Sequence, residues 1–146
     1  MLGCQTLALT IGKTDKEELE KLALHGADKV IHIENEKLDT LDDQAYTGIV
    51  ADVARKYNAT VLVLSNNNEG KALAPRLSVQ LKAGLVTGVS KLPLSVNPFV
   101  VYKKVYSGKA YANVLIKTDI KIITLAQNSF ELITNPKPLT IEHPDV

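Results

Sequence analysis

The chain is expected to be α/β, because its first half alternates short apolar runs with amphipathic stretches and its second half changes to strands joined by short turns. Parallel strands linked by crossover helices produce the first rhythm, and antiparallel neighbours produce the second. The length of 146 residues suits one ordinary domain, and 45% apolar residues supply a sizeable core.

Thr6 to Gly12 reads as the first strand. Thr14 suits an N-cap with Glu17 completing a capping box, Leu19, Leu22 and Ala23 form an apolar stripe, and Gly26 suits a left-handed stop. A helix over about Asp15 to His25 follows. Lys29 to Ile33 is the next strand. Behind an acidic first turn of Asp42 and Asp43, the residues Tyr46, Ile49, Val50, Val53 and Tyr57 recur at helical spacing. Thr60 to Leu64 is a continuous branched apolar run, as in a parallel strand covered on both faces, and is expected to be central.

The polar loop Ser65 to Gly70 leads into a stripe of Leu73, Leu77 and Leu81 that stops at Gly84, with Pro75 expected in the first turn of that helix. Thr87 to Val96 and Phe99 to Tyr106 then flank a turn at Asn97-Pro98. Ser107-Gly108-Lys109 leads into the alternating strand Ala110 to Ile116, and Ile120 to Ala126 closes the series. Pro93 places its strand at an edge or on a bulge. The tail from Asn135, with Pro136, Pro138 and Pro144, reads as extended linker, so the expected division is a domain over 1–134 and a tail over 135–146. The whole predicts a three-layer, Rossmann-like fold: a mostly parallel sheet, helices on both faces and an antiparallel extension in the second half.

Lys plus Arg number 17 against 16 Asp plus Glu, so net charge favours neither nucleic acid nor an anionic membrane as partner. A single cysteine, Cys4, excludes an internal disulfide and fits a reducing compartment. No apolar run is long enough to span a bilayer, and the first residues lack the order of a signal peptide. The expectation is a protein of the cytoplasm or of a mitochondrial-matrix type of compartment.

The candidates for chemistry are few. His25, His32 and His143 fall in a helix end, a strand and the tail, without metal-ligand spacing; their ordinary readings are a helix-dipole partner, a surface strand residue and a flexible tail residue. Glu34, Glu36 and Asp39 form a candidate cation cluster, for which solvation is the favoured reading. No serine stands in a Gly-x-Ser-x-Gly context, so no hydrolase motif is present. The loop Ser65, Asn66, Asn67, Asn68, Glu69, Gly70 is the strongest candidate binding surface, because it joins the carboxyl end of a buried strand to the amino end of a helix, where phosphates are held in open α/β sheets. It has neither a dinucleotide fingerprint nor a Walker sequence, and Glu69 would repel a phosphate. A structural or partner-facing loop is favoured over a nucleotide site. Arg76 offers either a planar bidentate contact or an ordinary exposed helix residue paired with an acid.

The segment Gly70-Lys71-Ala72-Leu73-Ala74-Pro75-Arg76-Leu77, with Leu81 and Gly84-Leu85 after it, resembles the signature of the electron-transfer flavoprotein alpha subunit, where a Gly-Arg-Asp-Leu-Ala-Pro-Arg-Leu run stands. Gly26-Ala27-Asp28-Lys29-Val30 and Val105-Tyr106-Ser107-Gly108-Lys109-Ala110 resemble two flanking segments of that family in the same order. Lys71 and Ala72 depart from the common Arg and Asp, which removes an acidic group near the helix start. The family also begins with a strand and helix that find no counterpart here, and continues into a second domain.

The resemblance implies an N-terminal domain that builds the interface with a beta subunit, while FAD is bound mainly by the C-terminal domain, so no cofactor and no catalysis are expected in this chain. It implies electron flow, through the whole complex, from dehydrogenases to a quinone reductase or another acceptor. Gly70, Pro75, Arg76, Gly84 and Gly108, which match the signature, are then expected to shape a helix start, turns and an interface. The same fold also resembles adenine nucleotide alpha hydrolase-like domains and universal stress proteins, which leaves a free-standing adenine-nucleotide-binding domain, using Ser65, Asn66, Asn67, Asn68 and Gly70, as the alternative. If the absent strand is an interior one, open sheet edges remain, and self-association is expected.

Overall fold

The computed structural model describes residues 3–34 and 42–144. In chain order it contains β1 (Leu7–Ile11), α1 (Lys16–Leu24), β2 (Lys29–Ile33), α2 (Asp43–Lys56), β3 (Val61–Ser65), α3 (Asn68–Leu81), β4 (Gly84–Val89), β5 (Ser95–Val96), β6 (Phe99–Val105), β7 (Ala110–Ile116), β8 (Lys121–Leu125) and β9 (Ile141–Glu142). This is the mixed α/β architecture expected from the sequence, Rossmann-like, with parallel pairings supplemented by an antiparallel extension. Among the described residues no helix is long and apolar enough to cross a membrane. The chain forms two compact units, Met1–Tyr46 with Leu132–Val146, and Thr47–Glu131.

In the first unit, β1, β2 and β9 form a parallel sheet in that order. The core joins Leu19 of α1, Ala27 and Val30, with Ala8, Leu22, Leu139 and Ile141 packed against them. The first turn of α1 differs from expectation. Its N-cap is Asp15 in extended conformation without a side-chain cap bond, so Thr14 and Glu17 form no capping box; charge from Glu17 and Glu18 near the positive helix end supplies what stabilisation the turn receives. Gly26, at φ +102°, ends the helix as expected.

The tail is extended, and it is also anchored. The amide of Asn135 donates to the Leu24 carbonyl at 2.9 Å, that of Lys137 to the Ala23 carbonyl at 3.0 Å, and that of Val30 to the Thr140 carbonyl at 2.8 Å. Asp28 accepts from the Thr6 amide at 2.7 Å and pairs with Lys137, while Lys29 pairs with Glu142 at 2.5 Å. Prolines exclude helix and central ladder positions, yet they leave Thr140 to Glu142 free to add a short edge strand, which composition alone does not reveal.

In the second unit the strand order is β3-β8-β4-β6-β5, with β7 also paired to β6. β3 and β4 both run parallel to β8, and β6 pairs antiparallel with β4, β5 and β7. Within the parallel set β3-β8-β4 the middle strand is therefore β8, whose Ile122 and Thr124 are fully buried, and β3 lies outermost among the described strands of this sheet, with Val63 56% exposed. The unbroken apolar run of β3 predicted the reverse. Helix α2, all but its first turn in this unit, buries Thr47, Ala51, Val53 and Ala54, while Tyr46, Ile49, Val50 and Tyr57 are only half-buried. Of the stripe expected from sequence only Val53 is buried, and small residues make up the rest of the buried side.

α3 buries Leu73, Leu77 and Leu81 as expected, but it starts at Asn68, so Pro75 falls in its interior rather than in its first turn. The missing amide deprives the Lys71 carbonyl of its helical donor on the side of α3 where Lys71 and Pro75 are exposed. Thr87 to Val96 is not one strand either. The ladder shifts between Val86 and Val89, where Gly88 takes φ +71°, and the chain leaves the ladder at Ser90 before resuming as β5 after Pro93. The apolar core of this unit gathers Val86, Val89, Phe99, Val101, Ile116 and Ile123.

Candidate functional site

At the carboxyl ends of β3 and β8 an open polar cavity of about 450 Å³ is lined by Asn66, Asn67, Asn68, Lys71, Ala126 and Gln127. The loop that forms it is fixed from within. The buried Thr124 hydroxyl donates to Asn66 Oδ1 at 2.9 Å and accepts from the Gly88 amide at 3.0 Å. The Asn66 amide donates to the Leu125 carbonyl at 3.0 Å. Two strands and the loop thus share one hydroxyl, which has both a donor and an acceptor to offer.

Asn67 caps α3: its backbone is extended and its side-chain oxygen accepts from the Gly70 amide at 2.9 Å. This is one of the amides that would otherwise face an anion at the helix start, and the protein's own side chain occupies it. Glu69 adds negative charge to the same turn. Gly70 is buried so tightly that a Cβ there would lie 1.8 Å from the Ser65 carbonyl oxygen. Ser65, Asn66, Asn67, Asn68 and Gly70 are therefore brought together, as a self-capped turn. Sequence reasoning missed Thr124, Gly88, Ala126 and Gln127, which come from distant segments; a lone threonine inside the apolar Lys121–Leu125 strand was the available signal.

The remaining signature residues lie apart from the cavity lining. Pro75 and Arg76 are exposed on α3. At Gly84 a Cβ would stand 2.6 Å from Ile116 Cγ2 and 2.9 Å from Thr118 Oγ1, and its amide donates to that hydroxyl at 2.7 Å, so close strand approach requires glycine. Gly108 takes φ +85° in a single 3-10 turn, with open space where a side chain would be.

The histidines are placed differently from expectation. His32 is buried, only 3% exposed, with its Nδ1 at 2.8 Å from the Thr10 hydroxyl. His143 is not loose in the tail but edge-on to His32, ring centroids 5.4 Å apart. The anchored tail covers the β2 face that sequence alone leaves exposed. His25 caps the end of α1, and its Nδ1 lies 3.0 Å from the Ile133 carbonyl. Of the candidate cation cluster, Glu34 is exposed, and Glu36 and Asp39 lie outside the described residues. Among the described residues no group of three or more His, Cys, Asp or Glu side chains could hold a metal ion.

An electron transfer flavoprotein domain model matches residues 2–146. The chain belongs to the electron transfer flavoprotein domain family. It is 25% identical over 127 residues to the electron transfer flavoprotein subunit alpha of Bacillus subtilis (strain 168), a match covering 87% of this chain and 39% of that protein. To protein FixB of Escherichia coli (strain 55989 / EAEC) it is 31% identical over 135 residues, covering 90% of this chain and 42% of the relative. It is also similar, at 28% over 98 residues, to the acryloyl-CoA reductase electron transfer subunit beta of Anaerotignum propionicum, covering 67% of this chain and 27% of that one. The chain therefore spans about two fifths or less of the curated relatives it matches. It is of the alpha-subunit, N-terminal-domain type within the family.

The cavity at β3 and β8 is a poor match for a flavin: Lys71 offers a phosphate one cation, but Asn67 already takes the Gly70 amide, Glu69 adds negative charge to the same turn, and the lining has no apolar slot for a ring system.

Proposed function

We propose that this chain is a non-catalytic scaffold and partner-binding domain of an electron-transfer flavoprotein, binding a beta subunit while FAD is held mainly by another domain of the full-length protein. In that complex electrons pass from dehydrogenases to a quinone reductase or other acceptor, in the cytoplasm or a matrix-type compartment. The domain is read as residues 1–134, with 135–146 as an extended tail held along α1 and β2. The observation that carries the reading is the family match along nearly the whole chain, joined to a switch-point loop whose helix-start amide is already capped by Asn67. Gly70, Gly84 and Gly108 serve the backbone of this scaffold, and Pro75 and Arg76 are exposed on α3, where a partner can reach them.

The position of the Ser65 to Gly70 loop favours the second reading, an adenine-nucleotide-binding domain of the universal-stress-protein type. Calorimetric titration with ATP and AMP separates the two. The scaffold reading expects no saturable heat and no flavin absorbance in the isolated chain; a micromolar Kd that Asn66→Ala abolishes would overturn it. Self-association is proposed through the outer edge of β3, where an apolar strand exposes Val63. Light scattering then gives a species larger than one chain, and Val63→Lys shifts it toward the monomer.

A further inference from the structure

The near-neutral net charge conceals an uneven distribution. Residues 70–118 contain eight Lys or Arg and no Asp or Glu, so all 16 carboxylate side chains lie outside this stretch. The β6–β7 hairpin falls within it. Across the hairpin Val100 pairs with Leu115, Tyr102 with Asn113 and Lys104 with Tyr111. The pleat puts these pairs on one face, while Phe99, Val101 and Ile116 turn the other way and are buried.

That outer face is rich in groups that proteins use to bind one another. Tyr111 is 61% exposed and Leu115 45% exposed. Tyr102 stacks on Tyr111 with centroids 5.2 Å apart and planes 23° from parallel, and the Lys91 ammonium stands 4.5 Å from the Tyr102 ring centroid. Desolvation first, and the neighbouring Tyr111 phenol second, push the Tyr102 hydroxyl above the ordinary tyrosine range. Stacked tyrosines have few rotatable bonds to freeze on binding, which is why such side chains recur in binding hot spots.

We propose that the outer face of the β6–β7 hairpin is a docking surface for a protein partner whose matching patch is acidic around an apolar centre. Tyr111 and Leu115 supply the contact area, and Lys91 and Lys104 meet the partner's carboxylates. The charge argument selects the partner's sign, since no acid within residues 70–118 offsets these lysines in sequence. Nucleic acid fits less well, because a base-stacking platform needs open ring faces and Tyr102 is already engaged by a ring and an ammonium. The proposal rests on the reading of the chain as a partner-binding domain and adds the face and its chemistry.

The test is calorimetric binding of the full chain to the purified electron-transfer flavoprotein beta subunit from the same source, at low and at raised salt. Variants are Tyr111→Ser with Leu115→Ser, and separately Lys104→Glu; Leu132→Thr, at an exposed residue outside the hairpin, is the control. The expected result is a loss of about tenfold or more in affinity for the double variant. Lys104→Glu should lose several-fold at low salt and less at high salt, and the control should bind like wild type, all with unchanged melting temperatures. Wild-type binding that the hairpin variants leave intact overturns the docking face and leaves the partner-binding reading standing. No wild-type binding overturns both. Capture of anionic vesicles (phosphatidylcholine with phosphatidylserine) or duplex DNA in place of the subunit, lost in the same variants, assigns the face to another class of partner and also overturns it.

Discussion

Replacing Gly70 by alanine should destabilise the protein, although alanine is the better helix former. The residue is the third of α3, where alanine would gain up to about 1 kcal/mol from helix propensity. Its added Cβ would lie 1.8 Å from the Ser65 carbonyl oxygen and 3.0 Å from that carbonyl carbon. Both obstacles are backbone, so no rotamer change relieves them. The loop must move by more than an ångström, which strains or breaks the Asn67 cap at 2.9 Å and the Thr124–Asn66 bond at 2.9 Å. Overpacking costs about 1–3 kcal/mol and a lost cap about 1 kcal/mol more. Set against the propensity gain, the net is a loss of about 1–3 kcal/mol, or a fall in Tm of about 2–12 °C for a chain of this size. Gly48 is the internal comparison: it lies within α2 with nothing within 4 Å of an added Cβ, so Gly48→Ala should stabilise by up to about 1 kcal/mol. Thermal melts followed by circular dichroism, with urea midpoints as a check, measure both. A Gly70→Ala protein that melts at or above wild type would refute the contact between this glycine and Ser65.

Two further outcomes follow from buried or anchored polar groups. Thr124→Val removes a hydroxyl bonded on both sides and strands the Gly88 amide and the Asn66 side chain, so a cost of about 2 kcal/mol is expected in urea unfolding; a change under about 0.5 kcal/mol would contradict the network. Asp28 has its carboxyl pKa lowered from 3.8, first by the hydrogen bond from Lys137 and then by the Thr6 amide, against a smaller opposing effect of desolvation. Its folded pKa lies below its unfolded one, so its stabilisation is complete above the unfolded value and is lost as pH falls through the folded value. Asp28→Asn should therefore flatten the acid limb of a Tm-against-pH curve and speed proteolysis of the tail, and an unchanged acid limb would exclude this role.

How much of this was legible in the sequence depended on how local the cause was. The stripe Leu73, Leu77 and Leu81 repeats within one helix, and its burial followed directly. Gly26 and the alternation of β7 were local signals too. The exchange of roles between β3 and β8 was not local, since both are short branched apolar runs and only the order of strands in the sheet decides which is central. Pro75 misled because a proline marks a helix's first turn more often than its interior, and α3 starts before Gly70 through a cap that Asn67 supplies. His32 looked exposed because the residues that cover it lie more than a hundred positions later, in a tail whose prolines suggested a linker. At the candidate site the loop was found and half of its walls were missed. Thr124, Ala126 and Gln127 reach it through the strand order, on which residue spacing carries no information.

The same strand order bears on why a binding face would stand on the β6–β7 hairpin. Residues 90–116 form an excursion between β4 and β8, two strands that pair directly with each other. The parallel set β3, β8 and β4 is closed by its own hydrogen bonds, and the excursion is attached to it by one ladder contact, Val89 with Lys103, and by the inward Phe99, Val101 and Ile116. Packing therefore constrains only every second residue of the hairpin. Tyr102, Lys104, Tyr111, Asn113 and Leu115 on the outer face are free to vary with little cost to the core, while β6 and β7, paired over seven residues, hold them rigid. A rigid support with a surface released from packing is the physical requirement for tuning a partner contact without unfolding the domain. Hence outer-face substitutions should alter affinity at constant Tm, whereas Val101→Ala on the inner face should lower Tm by several degrees, through a loss of about 2 kcal/mol, before it alters binding at all.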